Sequence, residues 1–286
     1  MRNILRFFWR IITFPYRWIS RKFSDVRSFL TEEPDDTPIG DSFSKAVENP
    51  NEILYHLNDL RKHLFRAAGV LAITTVFSFA FTSQIIDLLA QPIGGIEELV
   101  AIDPTEPIGV FMRVALLSGF TLAFPYIALE LWLFAAPGLS RNARIYGLIA
   151  IPIAVLFFLG GMAFAYFVML PQGLPFLLNF MGMHTVPRPS SYLKFVTNVM
   201  FWLGVSFEFP LVIYILAMLG FVTASMLIKQ WRLAIVIIAV ASAMITPTID
   251  PVNMALVMGP LIVLYFLSIL LAALAGRSRQ KRQLDT

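Results

Sequence analysis

Residues able to do chemistry are rare in this chain, and Glu208 is the most informative of them. It is a lone carboxylate in Phe201-Trp-Leu-Gly-Val-Ser-Phe-Glu-Phe-Pro210, midway along an apolar run from Leu193 to Leu219. A charge at the centre of a membrane-spanning helix costs roughly 2.5 to 3.5 kcal/mol on insertion scales, so an intramembrane carboxylate is a functional candidate. Two readings stand at this point: a protonated acid in a structural interhelical hydrogen bond, or a polar point offered to a partner helix. Glu130 lies toward the cytoplasmic end of its run, one to two turns before Pro137, where a carboxylate is expected to snorkel to the interface. Asp250 falls in an outer turn. Three such scattered acids do not make a proton wire.

A second constellation lies at the start of the first apolar run, Glu52-Ile-Leu-Tyr-His-Leu-Asn-Asp-Leu-Arg-Lys-His-Leu64. Leu57, Leu60 and Leu64 form a helical stripe, while Asp59, Arg61 and Lys62 project elsewhere. Phosphate contacts of a juxtamembrane helix would explain the segment taken alone. His56, His63 and His184 are too dispersed for a metal cluster, and without Cys the chain has no disulfide, thiol nucleophile or thiolate site. It also lacks a Walker loop, a Gly-x-Ser-x-Gly elbow, a His-Glu-x-x-His pair and an intramembrane acidic dyad. The expectation is no catalytic residue, no metal and no cofactor.

The elements that must position these residues are membrane helices. Of the 286 residues, 58% are hydrophobic and 14% charged, and mean hydropathy is +0.74, whereas soluble domains carry about 25% charged residues. Six apolar runs lie near Leu64 to Ser83, Val110 to Ala136, Tyr146 to Leu170, Leu193 to Leu219, Trp231 to Ile245 and Met254 to Ala275. The fifth is short: at about 1.5 Å per residue it reaches only ~22 Å, less than a bilayer core. Pro125, Pro152, Pro210 and Pro260 should bend four of the runs. Eleven of the 22 Lys and Arg residues lie at or before Arg66, and Arg141, Arg144, Lys229, Arg232 and the tail from Arg277 carry others. The segment from Gln84 to Ile108 holds five acids and no cation, so the positive-inside rule places both termini in the cytoplasm. Arg188 and Lys194 are weak exceptions in the second outer loop.

Four regions follow. Residues 1–24 read as a basic amphipathic interfacial helix, its arginines within about 100° of arc. Residues 25–50 read as an acidic flexible linker, residues 51–276 as the six-span membrane domain, and residues 277–286 as a basic cytoplasmic tail.

Several blocks in one order resemble the TatC family, the core membrane subunit of the twin-arginine protein translocase. They are the His-Leu-x-Asp-Leu-Arg stretch at His56 to Arg61, Phe124-Pro-Tyr, Trp132-Leu-Phe-Ala-Ala-Pro-Gly-Leu139, Gly161-Met-Ala-Phe-Ala-Tyr166 followed by Pro171, Gly204 to Pro210, and Thr246-Pro followed by Asp250-Pro. The resemblance implies an all-α cupped bundle of six spans in a prokaryotic plasma membrane, or in its thylakoid counterpart. It implies a receptor for the twin-arginine signal peptides of folded precursors, driven by the proton-motive force and assembled with TatA-type and TatB-type single-span subunits, several TatC copies and membrane lipids. No nucleic-acid partner is implied.

Carried over by residue, the resemblance assigns signal-peptide recognition to Asp59 and Arg61, with Leu57, Leu60 and Leu64 in support, and to Phe134, Pro137 and Leu139. It makes Glu208 the membrane-embedded contact to partner helices and Asp250 the outer-loop acid. Where the family commonly carries a Glu, an ungapped match places Ala143, beside Arg141 and Arg144, so the acidic half of an arginine clamp is incomplete. Glu52 or the linker acids are expected to supply that charge. A secondary transporter or channel using Glu208 is the competing reading, although no internal repeat of the kind such transporters show is evident.

Overall fold

A computed structural model describes the backbone of residues 50–136, 141–179, 185–246 and 251–284, with side chains from residue 57 onward except 141–146 and 277–284. The expected interfacial helix, the linker acids up to Glu48, Pro137, Leu139 and Asp250 lie outside the described residues. The chain divides into a small unit, Met1–His63 with Leu131–Ile149, and a larger one, Leu64–Glu130 with Ala150–Thr286.

The described residues are helical with short connections. Helix α1 runs Pro50–Ser78 and α2 Thr82–Ala90, α3 Glu106–Ala135, α4 Arg141–Phe164, and α5 Leu170–Leu178 follows a π-helical turn at Ala165–Met169. Then come α6 Pro189–Phe207, α7 Phe209–Leu219, α8 Ala224–Lys229, α9 Trp231–Ile245 and α10 Pro251–Leu284. Four spans are long and apolar enough to cross a bilayer: Glu106–Ala135, Gly147–Leu178, Pro189–Leu219 and Pro251–Gly276. A bent pair, Leu57–Ser78 with Thr82–Ile93, and the shorter Trp231–Ile245 bring the membrane segments to six. The fifth is indeed short, with 15 residues. Only 22 to 33% of the most apolar stretch of the four long spans is buried within the protein. The remainder is apolar surface open to lipid or to other membrane helices.

The first span departs from expectation, because the chain turns by 77° between α1 and α2 and part of the presumed outer loop is helix. No Pro or Gly causes the turn. Thr75, Ser78 and Thr82 donate side-chain hydroxyls to carbonyls four residues earlier, an arrangement that bends helices. Between them the amides of Phe79, Ala80 and Phe81 bond only three residues back. Two tyrosines fix the far end of α2: Tyr192 Oη donates to the Leu89 carbonyl at 2.7 Å and Tyr166 Oη to the Leu88 carbonyl at 2.8 Å. Those carbonyls belong to the last turn, where intrahelical donors run out.

Small residues let the helices of the larger unit approach closely, the usual device where lipid removes a hydrophobic drive. Thr74 Oγ1 donates to the Gly119 carbonyl at 2.8 Å, joining α1 to α3. A Cβ on Gly161 of α4 would lie 2.6 Å from the Leu203 carbonyl oxygen and 2.8 Å from the Gly204 Cα of α6. Phe124 and Phe158 stack beside this crossing with centroids 4.2 Å apart, and Phe201 meets Phe120 edge-on at 5.1 Å. Leu170, Leu174, Leu193, Val196, Leu203 and Val257 form the buried core, and Ile213, Ala217, Ala272 and Ala275 make a second cluster between α7 and α10.

Candidate functional site

Helix α1 is continuous from Pro50 to Ser78, so Leu57, Asp59, Leu60 and Arg61 in the small unit, and Leu64 directly after them, keep the spacing read from the sequence. Leu57 and Leu64 are exposed, at 53% and 65%, which leaves the stripe open. Asp59 Oδ1 lies 3.7 Å from Lys62 Nζ, and its Oδ2 lies 3.6 Å from His63 Nε2. The Asp59 and Lys62 side chains are one-third and one-half exposed. A pair that open to water is worth about 0 to 1 kcal/mol and is readily exchanged for a better partner.

His63 then turns its ring edge-on to Phe134, centroids 6.2 Å apart at 62°. Sequence reasoning set His63 aside as a dispersed histidine, yet it connects Asp59 to the aromatic ring at the end of α3. Its position four residues after Asp59 on the same helix was the available signal. Behind Phe134, Trp132 is 8% exposed, and a Cβ on Gly147 would overlap its indole nitrogen. Glycine at 147 therefore lets the start of α4 pack against the end of α3. The indole N–H is buried without a hydrogen-bond partner among the described residues.

In the larger unit, Glu130 does not snorkel. It is 1% exposed, accepts a hydrogen bond from Tyr126 Oη, and lies 3.9 Å from Arg66 Nη1 with its other oxygen. Arg66 is distant in sequence, so the reading from local spacing missed it. Burial of this acid is sustained by a cation and a hydroxyl.

Glu208 sits where α6 gives way to α7, with φ −72° and ψ −20°. Its amide bonds only three residues back, to the Val205 carbonyl at 3.1 Å, and buried Pro210 supplies no amide for the next turn. Gly204 lies one turn earlier on the same face, against Phe158 and Met162. Glu208 Oε1 is buried without a hydrogen-bond partner, and no cation pairs with it among the described residues. An unsatisfied buried group costs about 1 to 3 kcal/mol.

Comparison with known proteins agrees with this arrangement. The model for the family described as Sec-independent protein translocase protein (TatC) matches residues 55–260. The Sec-independent protein translocase protein TatC of Koribacter versatilis is 34% identical over 80% of this chain and 88% of its own length. The protein of the same name from Deinococcus radiodurans is 36% identical over 76% of this chain and 84% of its own. A crystal structure of the twin-arginine translocase receptor TatC superposes with a TM-score of 0.70 at 31% identity, covering 77% of this chain and 99% of that one. The chain belongs to the TatC family of Sec-independent protein translocase proteins.

Proposed function

We propose that this chain is the signal-peptide receptor of a twin-arginine translocase in a prokaryotic plasma membrane. It binds the paired arginines of folded precursors on its cytoplasmic side and nucleates the translocation complex. Family membership supports the translocase role, and the cluster of Asp59, His63 and Phe134 carries the reading of the receptor surface. An arginine guanidinium can displace the exposed Lys62 ammonium from Asp59 because it forms two parallel charge-assisted hydrogen bonds with a carboxylate. The open stripe of Leu57 and Leu64, with Leu60 between them, would receive the apolar part of the same peptide. Pro137 and Leu139 of the first cytoplasmic loop complete the proposed surface.

Glu208 serves assembly in this account. Glu208, part-exposed at the break between α6 and α7, is the contact offered to the helices of TatA-type and TatB-type subunits, with several copies of this chain and membrane lipids in the complex. Asp250 is the acid of the outer turn. The chain binds and organises without catalysing a covalent step, and the proton-motive force supplies the work, about 2.3 kcal/mol per charge per 100 mV. Residues 1–24 anchor at the interface, residues 25–50 link and contribute acidic charge, residues 51–276 form the receptor, and residues 277–286 extend into the cytoplasm.

Purified full-length protein should bind a precursor with paired arginines and discriminate against its two-lysine variant. Equal affinity for the two would refute the receptor reading.

A further inference from the structure

We infer that the outer side of the larger unit holds a binding site for one anionic phospholipid. A cavity of about 500 Å³ opens between the end of α5 and the start of α6. Arg188 and Lys194 both line it, with the Ser191 hydroxyl between them in sequence and Leu174, Leu178 and Phe195 forming an apolar wall. Among the described residues no acid lines the cavity. Neither Arg188 nor Lys194 forms an ion pair with an acid among the described residues.

The placement of these charges is what needs explaining. Cations are depleted from outer loops, and the preceding outer segment, Gln84 to Ile108, has five acids and no Lys or Arg. The second outer loop and the first turns of α6 nevertheless carry two cations, and both face one concavity. Its apolar wall continues the span Gly147–Leu178, so an occupant can have both a charged head at the interface and a chain in the hydrocarbon. A phospholipid combines the two: its phosphate would sit between Arg188 and Lys194 and an acyl chain along Leu174 and Leu178. A soluble anion would leave the apolar wall unused. A volume of this size is within the range of small-molecule sites.

Native mass spectrometry of the full chain in detergent, titrated with dioleoyl phosphatidylglycerol or dioleoyl phosphatidylcholine, tests the site. The protein should retain one phosphatidylglycerol in preference to phosphatidylcholine. Arg188→Gln and Lys194→Gln should each weaken retention roughly fivefold and the double variant roughly thirtyfold. Arg113→Gln, at an exposed cation that does not line the cavity, should leave it unchanged. Equal retention of the two lipids, or unchanged retention by the double variant, would overturn the inference. Displacement of the lipid by an equal concentration of sodium phosphate would also overturn it, because the acyl chain would then contribute nothing.

Discussion

The imidazole of His63 stands edge-on to the ring of Phe134, 6.2 Å between centroids, while its Nε2 lies 3.6 Å from the Asp59 carboxylate. One side chain thus orients both an acid and an aromatic that the receptor account requires. Replacing it by Ala should weaken precursor binding about two- to tenfold, the worth of an edge-to-face aromatic contact. Lys62→Ala should act oppositely and tighten binding up to about fivefold, since it removes the cation competing for Asp59. Binding isotherms with a fluorescent twin-arginine peptide measure both. Equal weakening by the two substitutions would show that Asp59 is not the acceptor.

The crossing of α4 and α6 depends on Gly161, whose added Cβ would strike the Leu203 carbonyl and the Gly204 Cα. Gly161→Ala should therefore lower stability by about 1 to 3 kcal/mol through overpacking. Its neighbour Gly160 has nothing within 4 Å of the same construction, and Gly160→Ala should be neutral or stabilise by up to about 1 kcal/mol. Thermal unfolding in detergent separates the pair. Similar behaviour of the two variants would mean that the close crossing does not support the fold.

Glu208→Ala should reduce co-purification of a single-span partner about tenfold, as expected for loss of a buried charge-assisted contact of roughly 1.5 kcal/mol or more. The unfolding midpoint of the isolated chain should not fall, because the substitution removes a buried oxygen without a hydrogen-bond partner together with its desolvation cost. A lowered midpoint with intact partner binding would return Glu208 to a purely structural role.

Asp103, in the first outer segment, accepts hydrogen bonds from the hydroxyl and the amide of Thr105, each 2.7 Å long. These bonds hold its carboxyl below the ordinary 3.8, the side-chain bond contributing most. A depressed folded-state value stabilises the turn above the unfolded pKa, and that contribution disappears as pH falls through the folded one. Carbon-detected NMR titration should find a midpoint below 3.8, and Thr105→Ala should raise it. An unchanged midpoint in the variant would assign the shift to another source.

Apolar run length made the spans legible, since a helix crossing lipid must satisfy its own backbone and present carbon outward. Glu208 and Asp59 were legible for a related reason: a charge in an apolar run, or a patterned charge beside one, is conspicuous. The turn after Ser78 was not, because it accompanies cumulative hydroxyl back-bonding by Thr75, Ser78 and Thr82, and none of these residues breaks a helix alone. Glu130 was misjudged because its fate depends on Arg66, a tertiary partner that local spacing cannot reveal. His63 was overlooked as a potential metal ligand without companions, when its ring contact with Phe134 is the informative one.

The receptor claim is tested most directly by placing a photoreactive amino acid at Asn58, beside Asp59, or at Leu133, beside Phe134, and exposing the full-length protein in native membranes to a precursor. Strong crosslinks to a twin-arginine signal peptide are expected at both positions, with a loss of about tenfold or more when the arginines become lysines, as for a bidentate contact exchanged for a point charge. Crosslinks of equal strength to both precursors, or none at either position, would contradict the receptor claim.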